Sequence, residues 1–362
     1  MFKFIPILDR YILKKFIGTF VFSILLIICI VIVFDISEKI EDFLTHDVPL
    51  HEIVFDYYLN FIPYFINLFA YLFTFIAVIF FTSRMAARTE IVAILSGGVS
   101  FYRLLRPYMI GAALIAGLSL YLGNYLIPQA SKTRLEFESR YIGSHYVNQD
   151  HNIHRQIAPG AFIYMERYDS EENVGTRFTL EKFDGLKMTM KISAREIRWD
   201  SLQSRWSIID YSGRFIKGEK ERLFKGTRID TVINLSPKDF SRAQNVMESM
   251  NSSELAEYIR NEKTKGSDSV HLYEIEQHRR LAFPFATFIM TLIGVAVSSR
   301  KVRGGIGMQL AIGISIGFTF IVFMQLFTSY ASSGVMPAYI AVWIPNAIFA
   351  VIAIFMIRKA PK

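Results

Sequence analysis

Five stretches of the chain carry no charge at all. They run from Phe16 to Phe34 (19 residues), Tyr57 to Ser83 (27), Pro107 to Ser131 (25), Leu281 to Ser299 (19) and Gly304 to Ile357 (54). A helix crosses a hydrocarbon core of ~30 Å with ~20 apolar residues, so the last stretch is long enough to cross twice. SSGVMP at 332–337 places Gly and Pro at its centre, where a turn would fall. Six transmembrane helices are predicted. Runs this continuously apolar lack the alternation of barrel strands, which leaves helices as the spanning form.

Between the third and fourth spans the pattern changes. Residues 132–280 hold 25 basic and 23 acidic side chains, the balance of an ordinary folded domain. Phe162 to Tyr168, Arg177 to Phe183, Met188 to Trp199 and Arg205 to Tyr211 are β-rich and partly alternating. Asp184-Gly185 and Ser212-Gly213 read as turns between them. An antiparallel sheet folded on itself, a sandwich or jelly roll, is expected. Residues 130–142 read as a continuation of span three, and Ser253 is placed to cap a short helix through Arg260. The domain reading is 1–131 for spans one to three, 132–280 for the β-domain and 281–362 for spans four to six.

The 362 residues are 52% hydrophobic and 20% charged, with a mean hydropathy of +0.31. Soluble domains carry about 25% charge, so an ordinary cytosolic enzyme is disfavoured. The net charge of +8 raises the question of nucleic acid, but its distribution points to a membrane. Lys3, Arg10, Lys14 and Lys15 precede span one, and seven acids with Lys39 follow it. Arg84, Arg88, Arg103 and Arg106 follow span two, Arg300, Lys301 and Arg303 span four, and Arg358, Lys359 and Lys362 span six. Every second flank is basic, as cytoplasmic flanks are. Both termini are expected inside, and 132–280 outside.

Catalytic signatures are missing. The chain has no G-x-x-x-x-G-K-[ST] phosphate loop, no G-x-S-x-G and no H-E-x-x-H, so ATP hydrolysis and an enzyme role are not expected. Cys29 is the single cysteine, which excludes an internal disulfide. It reads as a small apolar residue in lipid. His151 and His154 stand at i,i+3, but with Asp150 the one nearby carboxylate a polar loop is the expected reading, and no metal site is assigned. Trp199 and Trp206 read as sheet-core or rim residues.

The connector between spans two and three, 84–98, is more informative. Thr89 can cap a short helix, Glu90 suits its first turn against the helix dipole, and Gly97-Gly98 stops it. Ile91, Ile94 and Leu95 form one apolar stripe, which fits either a helix lying on the membrane surface or a knob that docks into a soluble partner.

ARTEIVAILSGGVSFYRLLRP (87–107) resembles the coupling segment of the LptF/LptG family, the permease subunits of the lipopolysaccharide exporter. LDRYILKKF (8–16) and FDISEKIEDF (34–43) are similar to the family's first helix, and FIYMERYD (162–169) and ISAREIRWDSLQSRWSIIDYSG (192–213) to its sheet. HRRLAFPFATFIMTLIGVAVS (278–298) and WIPN (343–346) resemble spans four and six. The LDRY start and the RTE-to-SGG spacing look closer to the LptG form than to LptF. The resemblance implies six helices with a periplasmic β-jellyroll inserted after the third, in the bacterial inner membrane. It implies a paralogous permease partner, an LptB-type ATPase dimer that hydrolyses ATP with Mg, an LptC-type single-span protein and a periplasmic bridge protein. It assigns ATPase coupling to Glu90, with Arg88 as a second polar candidate and Ile91, Ile94 and Leu95 as the apolar plug.

For the anionic head of lipopolysaccharide the cations available by position are Lys39, Lys132 and Arg134, although acids are interleaved with them. Gly313 and Gly317 of span five form a G-x-x-x-G that permits close helix approach; the resemblance puts spans one and five at the paralogue interface and lateral opening. Moving a multi-acyl lipid through water would expose each CH₂ at ~0.8 kcal/mol, so a covered apolar path is needed. A membrane-anchored sensor or scaffold, whose outer β-domain binds a ligand or partner without transport, is the alternative reading.

Overall fold

The computed structural model describes residues 6–142, 153–169, 172–201, 203–218, 220–233, 235, 237, 247–264, 270–300 and 305–359. Eight helices and seven strands are described, and they fall into two compact units, residues 1–137 with 271–362, and residues 138–270.

Six helices are long and apolar enough to cross a membrane: α1 (Ile7–Thr45), α2 (Leu50–Ala87), α4 (Phe101–Ile142), α6 (Val270–Ser298), α7 (Gly305–Ser332) and α8 (Ala338–Arg358). This is the predicted set of spans. The short α3 (Glu90–Ser96) joins α2 to α4, and α5 (Ser252–Thr264) precedes α6. α1 has 39 residues, about 58 Å at 1.5 Å per residue, so it overruns the hydrocarbon. α2 opens through a π-helical turn at Ile53–Tyr58 and keeps Pro63 inside. α4 continues past the apolar run to Ile142, with wider π-helical turns at Leu122–Leu126 and Glu138–Ile142.

Among the described residues three apolar clusters hold the helical unit, the smallest formed by Ala282, Ala331, Ala338 and Val342 between α6, α7 and α8. Ile12, Phe16, Phe20, Phe81 and Tyr108 centre the first, between α1, α2 and α4. Phe16, Phe81 and Tyr108 stack with centroids 5.3–6.3 Å apart, and Phe16 lies over Gly111 so closely that a Cβ there would run into its ring. The second core joins α2, α6, α7 and α8 through Tyr71, Phe75, Met290, Phe320 and Phe349. Asn346 of α8, buried, donates to the Ala282 carbonyl of α6 at 3.0 Å. Of the six spans, α1 and α7 are the least covered: 22% of their most apolar window is buried, against 39–56% for the others.

The other unit is an antiparallel sheet. Its strands are β1 (Ile153–Ala158), β2 (Ala161–Met165), β3 (Arg167–Asp169), β4 (Val174–Asp184), β5 (Lys187–Asp200), β6 (Arg205–Lys217) and β7 (Lys220–Thr231). The order is β1-β2-β4-β5-β6-β7, with β3 also on β4, so neighbours in sequence are neighbours in space. Inward residues Ile163, Met165, Phe178, Ile197, Trp206 and Ile208 meet in one core. Trp206 is fully buried, its indole N–H donates to the Leu235 carbonyl at 2.8 Å, and Trp199 packs edge-on at 5.1 Å. Burial of Tyr168 against the same core pushes its phenol above the ordinary value of 10.0.

Three local expectations are corrected. Asp184-Gly185 does turn, with Gly185 at φ +59°, but Ser212-Gly213 lies inside β6, paired to β5 and to β7. The glycine is there because the Phe224 ring covers it and leaves no room for a Cβ. The cap of α5 is Asn251, not Ser253. Its Oδ1 accepts from the Ser253 and Glu254 N–H groups at 2.9 Å, and the Glu254 carboxylate accepts from the Asn251 N–H at 2.9 Å, a capping-box exchange. Thr89 does not cap α3 with its side chain. It adopts φ +60°, and its hydroxyl donates to the Arg88 carbonyl.

Candidate functional site

The α2–α4 connector is clamped to the start of α1 by two polar contacts. Arg103, in the first turn of α4, donates to both oxygens of Asp9 at 2.6 and 2.9 Å. Asp9 is 1% exposed, and the planar guanidinium is the fork that satisfies both carboxylate oxygens at once. Ser100 caps that turn, accepting from the Arg103 N–H at 3.3 Å. Tyr11, two residues beyond Asp9, donates to Glu90 Oε2 at 2.9 Å. Gly98 ends α3 in a left-handed conformation (φ +84°), and its N–H donates to the Leu95 carbonyl, the glycine stop expected.

The apolar stripe of α3 lies against the rest of the helical unit. Ile91 is 1% exposed and belongs to the core of α1, α2 and α4, and Ile94 and Leu95 pack against that core. The core of the chain itself thus takes Ile91 completely and covers one side of Ile94 and Leu95. The outer side of the connector consists instead of Arg84, Arg88, Thr89, Val92, Ala93 and Ser96, all exposed, with Val92 at 57%. Of the coupling residues read from the sequence, Arg88 is exposed, Glu90, Ile94 and Leu95 are half-buried, and Ile91 is inside. Val92 and Tyr11 were missed. A one-residue step along α3 is a 100° rotation, which is the signal that could have singled out Val92.

The three candidate phosphate cations fare differently. Lys39 is engaged: its ammonium pairs with Asp35 at 2.6 Å, donates to the Tyr57 hydroxyl and lies 4.6 Å from that ring's centroid. Asp35 also accepts from Tyr58 at 2.9 Å. Arg134 is buried, with its guanidinium 5.4 Å from the centre of the Tyr64 ring. Lys132 is exposed. The structure brings Arg134 and Lys132 onto one helix and leaves Lys39 on another.

Gly313 and Gly317 face α2 of the same chain. A Cβ on Gly313 would run into the Ile79 side chain, and one on Gly317 would sit 3.2 Å from Leu72 Cδ1. The close approach they allow is therefore internal, whereas Ile314 and Phe318, on the other side of α7, are exposed. Among the described residues no group of three His, Cys, Asp or Glu converges. His154 stacks on Tyr164 at 4.8 Å, and His151 lies outside the described residues.

A family profile described as "Lipopolysaccharide export system permease LptF/LptG" matches residues 10–359. Lipopolysaccharide export system permease protein LptG of Escherichia coli strain K12 is 19% identical over 278 residues, 76% of this chain and 77% of that protein. The LptG of Escherichia coli O6:H1 strain CFT073 matches with the same identity and coverage.

Proposed function

The chain belongs to the LptF/LptG family of lipopolysaccharide export permeases, and from that premise we propose that it is an LptG-type subunit of an ABC transporter. It works beside a paralogous permease, extracts lipopolysaccharide from the inner membrane and passes it to a periplasmic bridge. An LptB-type ATPase dimer supplies the energy, with ATP and Mg²⁺ handled by that partner, and an LptC-type single-span protein completes the assembly. Both termini are cytoplasmic and the sheet unit is periplasmic, an orientation supported by the basic flanks on every second side.

The observation that carries the reading is the clamped connector. A push on α3 is delivered through Glu90–Tyr11 to α1 and through the α4 start to Asp9 of the same helix. α1 is one of the two least covered spans, so it is the helix free to border a lipid cavity. The exposed Arg88 and Val92 face the partner, while Ile91, Ile94 and Leu95 hold α3 on the chain. For the substrate's phosphates Lys132, exposed on α4, is the available cation, and Lys39 joins it once Asp35 releases it, whereas Arg134 is buried.

The test uses the membrane complex in proteoliposomes. Val92→Asp should cost ATPase co-purification and ATP-driven lipopolysaccharide release together, since a charge buried without a partner in a docking face is strongly unfavourable. Glu90→Lys should keep the six-helix core folded and lose release. Wild-type release and co-purification in both variants would refute the coupling role of the connector.

A further inference from the structure

A cleft between α1 and α4 is not used by any of this. It is a half-open groove of about 600 Å³ near the N-terminal end of α1, within the ~300–1,000 Å³ range of ligand pockets. Its walls are apolar, with Ile17, Phe20 and Val21 on one side and Leu114 and Leu118 on the other. Gly18 is part of the α1 wall, and a Cβ built there meets nothing within 4 Å. Any larger residue at this position would project into the space that glycine leaves open.

The charged lining residues are Arg10 and Lys14, both at the N-terminal mouth. They are one helical turn apart and so share a face. The acids close by are already engaged, Asp9 by Arg103 and Glu90 by Tyr11, and Lys15 lies over the Tyr11 ring. Arg10 and Lys14 are exposed, and among the described residues their side chains form no ion pair or hydrogen bond.

An apolar slot that ends in two unengaged cations has the charge order of one kind of membrane molecule. We propose that the cleft holds an acyl chain of an anionic phospholipid, whose phosphate is bound by Arg10 and Lys14. The apolar walls cannot select this lipid, because its chain is equally at home in the bilayer. Selection comes from the head group, through charge-assisted bonds to the two cations. A helix from another protein would have to bring its own acid to this mouth, whereas a phospholipid carries it on every molecule. Lys39 lies 25 or more positions further along α1, about 37 Å at the helical rise, so the cleft belongs to the opposite leaflet from the proposed export path and does not depend on that path. Its place beside the Asp9–Arg103 clamp means that the lipid would brace α1 against α4 where the connector is anchored.

The test uses the full chain co-purified with its membrane partners, in phosphatidylcholine nanodiscs doped with a trace of phosphatidylglycerol carrying a diazirine on its acyl chain. The same probe with a choline head group is the reference. After irradiation, peptide mapping should place phosphatidylglycerol adducts on residues 10–21 and 114–118, about tenfold above the choline probe. Arg10→Gln with Lys14→Gln should erase the preference. Gly18→Trp should remove the adducts from both segments while leaving those on α8 unchanged, and Gly18→Leu serves the same purpose if the tryptophan variant assembles poorly. Equal labelling by the two probes, or a preference that survives the double variant, would overturn the proposal. So would adducts that appear only when the partners are absent, which assigns the cleft to a protein contact, or adducts displaced by lipopolysaccharide, which assigns it to the substrate.

Discussion

Asp9 is the residue on which the connector's geometry turns. It is almost wholly buried within the first turn of α1, and both its oxygens are taken by Arg103. A buried carboxylate stripped of its cation is far worse than no carboxylate at all. Arg103→Met should therefore destabilise the helical unit by ~2–4 kcal/mol, and adding Asp9→Leu should restore a large part of that loss. Thermal unfolding of the purified full chain and its two single and one double variants gives the coupling. Additive losses would mean that the pair contributes geometry without mutual stabilisation. None of this was legible in the sequence. In the sequence Asp9 is a single acid among Lys3, Arg10, Lys14 and Lys15, and a partner 94 positions away follows from packing and not from pattern. Lys39 shows the same limit, since its acidic surroundings were readable but its capture by Asp35 and Tyr57 was not.

At the scale of elements, uncharged runs located all six spans, because a run of about twenty such residues has few alternatives in a folded chain. The limits of α3 were readable for the same kind of reason: Gly98 adopts the left-handed conformation that a helix stop requires. What the stripe of α3 packs against was not readable, since periodicity marks an apolar face without saying which surface covers it. In the sheet, Ser212-Gly213 has the composition of a turn, and it is the ring of Phe224 that keeps it in a strand. That strand's partner offers a pH test. Asp230 of β7 accepts from Ser207 of β6 at 2.7 Å and from Arg228 at 2.9 Å, and these bonds hold its carboxyl below the ordinary 3.8. A depressed folded pKa stabilises above the unfolded value and loses that contribution as pH falls through the folded one. Amide-exchange protection of β6–β7 should thus decline below pH ~4, and Asp230→Asn should flatten that decline. An unchanged acid response in the variant would place the titrating group elsewhere.

For the whole molecule, the division into a helical unit and an inserted sheet was legible from charge alone, because 132–280 has the composition of a soluble domain between uncharged runs. Orientation rests on the same charges and is testable without the complex. In a Cys29→Ser background, Leu186→Cys at the fully exposed β4–β5 turn should react with an impermeant thiol reagent from outside intact inner membrane, and the exposed Ser96→Cys should not. Labelling of both, or of Ser96→Cys alone, would overturn the orientation. In the proposed assembly, energy enters through the outer face of α3. An aliphatic diazirine residue placed at Val92, 57% exposed, or at Ile91, 1% exposed, reads that face directly in native membranes. The expected result is an adduct from position 92 to the ATP-hydrolysing subunit and none from position 91. An ATPase adduct from neither position, or equally from both, would contradict it.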